Sequence, residues 1–283
     1  MYNLLGLYEK ALPKQMNWPE KFRSAKELGF DFIEISIDES EERLGRLEWG
    51  RQEKRQLCQA MEDSQIPLLS MCFSGHRKYP LGSRDPMVRR KSLELMQKAV
   101  NFAGDLGIRV IQLAGYDVYY EEPGTDTREM FVEGLKICAG MAARRQVMLG
   151  IEIMDTPFLN SITKYLEYDR IVNSPWLAVY PDIGNLSAWG NDVAAELELG
   201  LSRIIGIHVK ETLRVSDVCK GQFRDVLFGT GEVDFLQIFR KLKALHYQGP
   251  FVMEMWGDTL PEPLVEIKRS REFVLEKFRE AGF

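Results

Sequence analysis

Residues 204–211 read IIGIHVKE, an apolar, β-branched run that ends in His208 and is followed at once by Lys210 and Glu211. A run of this length and composition reads as a buried strand whose polar residues fall where it emerges. Taken alone, a strand-end histidine is a satisfied structural residue more often than a ligand. Three other apolar runs change that reading, because each carries an acid at its end: Glu152 in LGIEIMD, Asp182 in VYPDIG and Glu254 in VMEMW.

Outward from this stretch, the whole chain alternates. β-rich runs at 4–8, 30–36, 66–71, 108–115, 147–154, 176–182, 204–209 and 250–256 are separated by helical spacing. The helical segments are 19–28, 51–64, 87–106, 128–145, 163–172, 192–201, 235–245 and 263–281, and 212–231 reads as the longest loop. In the longest helix Leu93, Met96, Val100 and Ala103 recur at three and four residues, the stripe of an amphipathic helix. Helix, turn and apolar strand in repetition mark a parallel sheet with helical crossovers. Eight such units without a composition break predict one (β/α)8 TIM barrel over residues 1–283. A doubly wound open sheet is the alternative, but the first strand runs into YEKALPK and shows no GxGxxG turn.

Composition narrows the class. Apolar residues make up 45% and charged residues 28%, and 37 basic against 42 acidic residues give a net charge of −5. These are values of an ordinary globular chain, without the basic excess of a nucleic-acid binder. Cys58, Cys72, Cys138 and Cys219 are widely spaced and form no CxxC pair, which argues against zinc-knuckle and redox motifs. No apolar run is long enough to span a membrane, and the reading is a cytoplasmic protein with reduced thiols.

At the C-terminal ends of barrel strands side chains face the active site, and neighbouring strands lie about 4.8 Å apart. Glu152, Asp182, His208 and Glu254 can therefore converge on one ion. Glu152 sits between Ile151 and Ile153, and Glu254 between Met253 and Met255, surroundings in which an unpaired carboxylate is costly. Three carboxylates and one imidazole suit Mn²⁺, Mg²⁺ or Co²⁺, with catalytic Zn²⁺ also open. Glu152 and Glu254, at opposite ends of the four-strand arc, are placed to remove a proton α to a carbonyl from one face and return it to the other.

Long stretches of the chain are similar to one family. They include GLYEKALP (6–13), LGFDFIEISIDE (28–39), SMCFSGHRKYPLGS (70–83), IRVIQLAGYDVYY (108–120) and EIMDTPFLNSI (152–162). YPDIGNLSAWGND (180–192), HVKET (208–212), FGTGEVDF (228–235) and EMW (254–256) continue the match. The chain resembles the L-xylulose-5-phosphate (L-ribulose-5-phosphate) 3-epimerases, some labelled hexulose-6-phosphate isomerases, of the xylose-isomerase-like barrel superfamily. The resemblance implies 3-epimerisation of a ketopentose 5-phosphate in L-ascorbate and pentose catabolism (EC 5.1.3.22). It also implies a metal held by Glu152, Asp182, His208 and Glu254, the two glutamates as acid/base pair, a cis-enediolate intermediate, no organic cofactor and a homodimer. Aldose–ketose isomerisation and non-catalytic sugar-phosphate binding are the alternatives.

Epimerases of unphosphorylated ketoses carry a glutamate where this chain has Phe158 and a histidine where it has Asn185, while their arginine has a counterpart in Arg214. That departure favours a phosphorylated substrate. Lys210, Arg224 and the Gly229–Gly231 turn lie after the seventh strand, where barrels often bind phosphate. His76 is read as a substrate hydrogen-bonding residue, and Glu34, inside FIEIS, as an orienting or sugar-contact acid.

Overall fold

The computed structural model describes residues 3–283; Met1 and Tyr2, at the start of the expected barrel, lie outside the described residues. Its strands are β1 Leu5–Tyr8, β2 Phe32–Ile37, β3 Leu68–Phe73, β4 Val110–Ala114, β5 Met148–Glu152 and β6 Leu177–Tyr180. They continue with β7 Ile207–Val209, β8 Leu213–Ser216, β9 Cys219–Gln222 and β10 Phe251–Met253. Eight of them form one parallel sheet in the order β6-β5-β4-β3-β2-β1-β10-β7. The expected helices between them are all present, from Trp18–Glu27 to Pro263–Ala281. Their stops follow local chemistry: Pro86–Leu106 starts on the Asp85 cap and ends at Gly107 with φ +77, where a left-handed residue satisfies the last carbonyls.

The sheet closes through a thin seam. Val179 bridges Ile204 and Asp182 bridges His208, with Ile205 N–H donating to Val179 O at 3.2 Å and His208 N–H to Pro181 O at 2.9 Å. Pro181 has no N–H to offer at the rung between, so a continuous ladder cannot form there. This closes the (β/α)8 barrel expected from the alternation.

Side-chain alternation then sorts the sequence into two cores. Ile33, Ile35 and Ile37 of β2 pack outward with the helices in the main cluster, while Phe32 joins Tyr8, Cys72 and Val252 in a second cluster. The same period places Glu34, Glu152, His208 and Glu254 on the inner face. Gly6 leaves room there, because a Cβ on it would collide with the Phe32 ring.

Besides a short helix at Glu41–Gly45, two features near the chamber depart from the sequence reading. The long loop contains an antiparallel hairpin, β8–β9, with Leu213 opposite Gln222 and Val215 opposite Lys220. Its strands are short and mostly exposed, too polar to announce themselves by periodicity. A short helix, Ile183–Ala188, also follows β6, capped by Asp182, whose side chain accepts from Asn185 N–H at 2.9 Å.

Candidate metal centre

The four strand-end residues meet. One ligand atom from each of Glu152, Asp182, His208 and Glu254 lies within 4.8 Å of the others, and all four residues are buried. They come from β5, the end of β6, β7 and the end of β10, four consecutive staves of the barrel. Asp182 Oδ2 and Glu254 Oε2 are buried and make no hydrogen bond. Lys210 Nζ lies 2.6 Å from the first and 3.2 Å from the second, close in distance but without hydrogen-bond geometry at those atoms. Buried acceptor oxygens without a donor, beside an imidazole, are what a hard divalent cation requires.

Electrostatics agree. Burial raises the Glu152 carboxyl, with Glu254 and Asp182 adding to it against the pull of His208. Burial also raises Asp182, against Lys210. Glu254 goes the other way: burial is outweighed by Lys210 and His208, and its carboxyl is held below the ordinary range. Such crowding of carboxylates is relieved by a bound cation. Imidazole orientation is also set. His208 Nε2 lies 2.7 Å from Glu34 Oε1, and Nδ1 lies 3.1 Å from Glu152 Oε1. Glu34 itself accepts from Ser70 Oγ at 2.6 Å and from the Tyr180 hydroxyl at 3.3 Å. With Nε2–H donated to Glu34, Nδ1 is the nitrogen left for a metal, the carboxylate–histidine–metal arrangement. Glu34 is placed to orient the imidazole. Replacing Glu34 with glutamine should weaken metal affinity by about 10- to 100-fold, measurable by titrating Co²⁺ into the metal-free protein. Unchanged affinity would remove Glu34 from this role.

Gln112 escaped the sequence reading although it interrupts the apolar run IRVIQLAG. It is buried on β4, and its Nε2 donates to Glu152 Oε2. Asn185 lines the chamber and donates its side-chain amide to Ile153 O at 2.8 Å, tying the β6 end to β5. Lys210 and Arg224 also line the chamber, and the Arg224 guanidinium stacks 5.1 Å from the Trp256 ring centroid.

Three expected contacts are corrected by the geometry. The Gly229–Gly231 turn is not open to phosphate, since buried Glu211 accepts from Gly229 N–H at 3.0 Å and Val233 N–H at 3.1 Å. The cradle is filled by the chain's own anion. Arg214 is exposed on β8, whose alternation turns Leu213 and Val215 inward, and it is not part of the chamber wall. His76 is 3% exposed and packs edge-on against Phe73 at 4.8 Å; the turn Gly75–Arg77 presents Arg77 to the chamber instead.

Burial holds the His76 imidazole down at about 4, whereas an unfolded histidine titrates near 6.5. Below pH 6.5 the unfolded chain takes up a proton that the folded chain refuses. His76 should therefore contribute stability above that pH and lose roughly 3 kcal/mol of it as pH falls towards 4. Urea midpoints of wild type and His76→Leu at pH 7 and pH 4.5 measure it. Equal pH dependence in the two proteins would contradict it.

Comparison with known proteins places the chain. The xylose isomerase-like TIM barrel family matches residues 22–277. A putative L-ribulose-5-phosphate 3-epimerase, SgbU, from Escherichia coli (strain K12) is 53% identical over 99% of this chain and 98% of its own length. The L-ribulose-5-phosphate 3-epimerase UlaE of Escherichia coli (strain SE11) is 50% identical over 98% of this chain and 96% of its own. Among solved structures, an L-ribulose 3-epimerase superposes with a TM-score of 0.79 at 18% identity, covering 99% of this chain and 96% of that one; this likeness concerns the fold alone. The chain belongs to the xylose isomerase-like TIM barrel family and, within it, to the family of the L-ribulose-5-phosphate 3-epimerases.

Proposed function

We propose that the protein is a metal-dependent L-ribulose-5-phosphate 3-epimerase, which interconverts L-xylulose 5-phosphate and L-ribulose 5-phosphate by moving the C3 proton between faces. One observation carries the reading. Glu152 and Glu254 close on a single buried chamber with Asp182 and His208, in a chain half identical, end to end, to proteins named for that reaction.

Glu152, Asp182, His208 and Glu254 would hold the ion, Mn²⁺, Co²⁺, Zn²⁺ or Mg²⁺ by their donor chemistry. A divalent cation supplies Lewis acidity, which makes a proton beside a carbonyl easier to remove and steadies the charge that results. The protein's own groups do the rest. Gln112 fixes one oxygen of Glu152 and leaves the other facing His208 at 3.1 Å. Lys210 stands 3.2 Å from Glu254 Oε2, so this carboxylate is kept ionised and ready to accept a proton. Each glutamate then serves one face of C3, the ionised Glu254 as base and Glu152 as acid in one direction, with roles exchanged in the reverse. Trp256 borders the chamber beneath Arg224 and helps to exclude water from it.

In this reading the protein acts in the cytoplasm as a homodimer, in L-ascorbate and pentose catabolism. No described helix is long and apolar enough to cross a membrane. The test is incubation of L-xylulose 5-phosphate with the purified protein and Mn²⁺, Co²⁺ or Zn²⁺ in D₂O. Ribulose product with deuterium at C3 supports the reading, and unchanged substrate overturns it. Deuterium at C1 or C2 would mean aldose–ketose isomerisation. Tight binding without turnover, whatever the metal, would mean a sugar-phosphate-binding protein.

A further inference from the structure

The four residues of the metal centre stand on a layer of side chains one step deeper in the barrel. Two residues before Glu152, Asp182, His208 and Glu254, and so on the same inward face, come Gly150, Tyr180, Gly206 and Val252. One large ring is flanked by two residues that have no side chain. A Cβ on Gly206 would lie 2.5 Å from the Tyr180 ring, and one on Gly150 would lie 3.1 Å from it. The two glycines leave the space that the ring fills.

That space lets Tyr180 reach across the barrel. Tyr180 closes β6 and Glu34 lies on β2, which the sheet order sets half-way round from β6. The Tyr180 hydroxyl still donates to Glu34 Oε2 at 3.3 Å. Ser70, paired with Glu34 in the β2–β3 register, donates to the same oxygen at 2.6 Å. Glu34 Oε1 is then left to His208 Nε2 at 2.7 Å. The Tyr180 ring also packs edge-on against the His208 imidazole, with centroids 5.0 Å apart. Tyr180 and Ser70 are both buried, where loss of a donor to a carboxylate is felt most.

We propose that Tyr180 and Ser70 are positioning residues of the metal centre. Together they hold the Glu34 carboxylate, and through it the His208 ring, in the orientation that presents Nδ1 to the ion. The assignment rests on the metal site of the reading above and not on which sugar is turned over.

Titration of Co²⁺ into the metal-free protein tests it. Ser70→Ala combined with Tyr180→Phe, which removes both hydroxyls and keeps the ring, is expected to weaken binding by on the order of 10-fold. In a Glu34→Gln background the same pair of changes should weaken it by less than about twofold, because the route through Glu34 is already cut. A merely structural role would weaken binding equally in both backgrounds. That result, or unchanged affinity in the otherwise wild-type protein, would overturn the assignment. Tyr180→Phe alone, expected to weaken binding by about threefold, reads the same cycle should the combined variant not fold. Co²⁺ bound by wild type without turnover of a ketose phosphate would end the epimerase reading alone. Wild-type protein that takes up no Co²⁺ would end the metal reading and this assignment with it.

Discussion

Glu254→Gln is expected to lower epimerisation by about 10³-fold while leaving the fold intact. The amide keeps the size of the side chain and one carbonyl oxygen, so the chamber is not emptied. It cannot take up a proton as a base. Lys210 loses one of its two carboxylates and keeps Asp182 at 2.6 Å, so no stranded charge follows. The informative readout is solvent exchange at C3. With Glu152 alone active, one epimer should still wash in deuterium without forming the other. Glu152→Gln should show the complementary preference. If either variant exchanged both epimers equally, the assignment of one glutamate to each face would fail.

The second large effect lies outside the chamber. Glu9, just after β1, is fully buried and collects three cations. Arg46 binds it with both terminal nitrogens at 2.7 and 2.9 Å, Lys21 lies at 2.7 Å and Arg43 at 3.2 Å. Ser36 N–H, on the neighbouring strand, donates to it at 2.9 Å. Glu9→Ala would leave those cations buried side by side with their shared counter-charge gone, which should cost about 3–5 kcal/mol. Burial alone would raise the Glu9 carboxyl, but Arg46 and Lys21 outweigh it and hold the group at about 2. Its folded value therefore lies below the unfolded one, near 4.3. The stabilisation is present above that value and drains away as pH falls towards 2. Guanidinium midpoints for wild type and Glu9→Ala at pH 7 and pH 3 check both statements. A variant as stable as wild type at pH 7 would show that the cations find other partners.

The sequence reads well where one physical rule dominates. Alternation along buried strands put Glu152, Asp182, His208 and Glu254 at strand ends, and convergence followed from barrel geometry alone. Glu34 was visible for the same reason, as an acid inside FIEIS. The readings that failed depended on neighbours distant in sequence or on the details of one local turn. A glycine turn binds anions in general, but here Glu211, some eighteen residues before Gly229, already fills it. The loop after β3 does face the chamber, but through Arg77 rather than His76, because a single 3-10 turn decides which of two adjacent side chains points in. Glu9 passed as part of the polar stretch YEKALPK; its partners come from elements up to 37 residues away.

The seam between β6 and β7 ties ion binding to the cohesion of the barrel. Of the two bridges that close it, one pairs Asp182 with His208, so half of the ligand set spans the most sparsely laced joint of the sheet. A ligand that grips only the closed form stabilises it by RT ln(1 + [L]/Kd), about 2.7 kcal/mol at a hundredfold excess over Kd. For an ion held by these four residues, local opening of this joint and its release would be one linked equilibrium. Chelation would act first on the hydrogen-bonded closure beside Pro181, where the barrel has least to hold it shut.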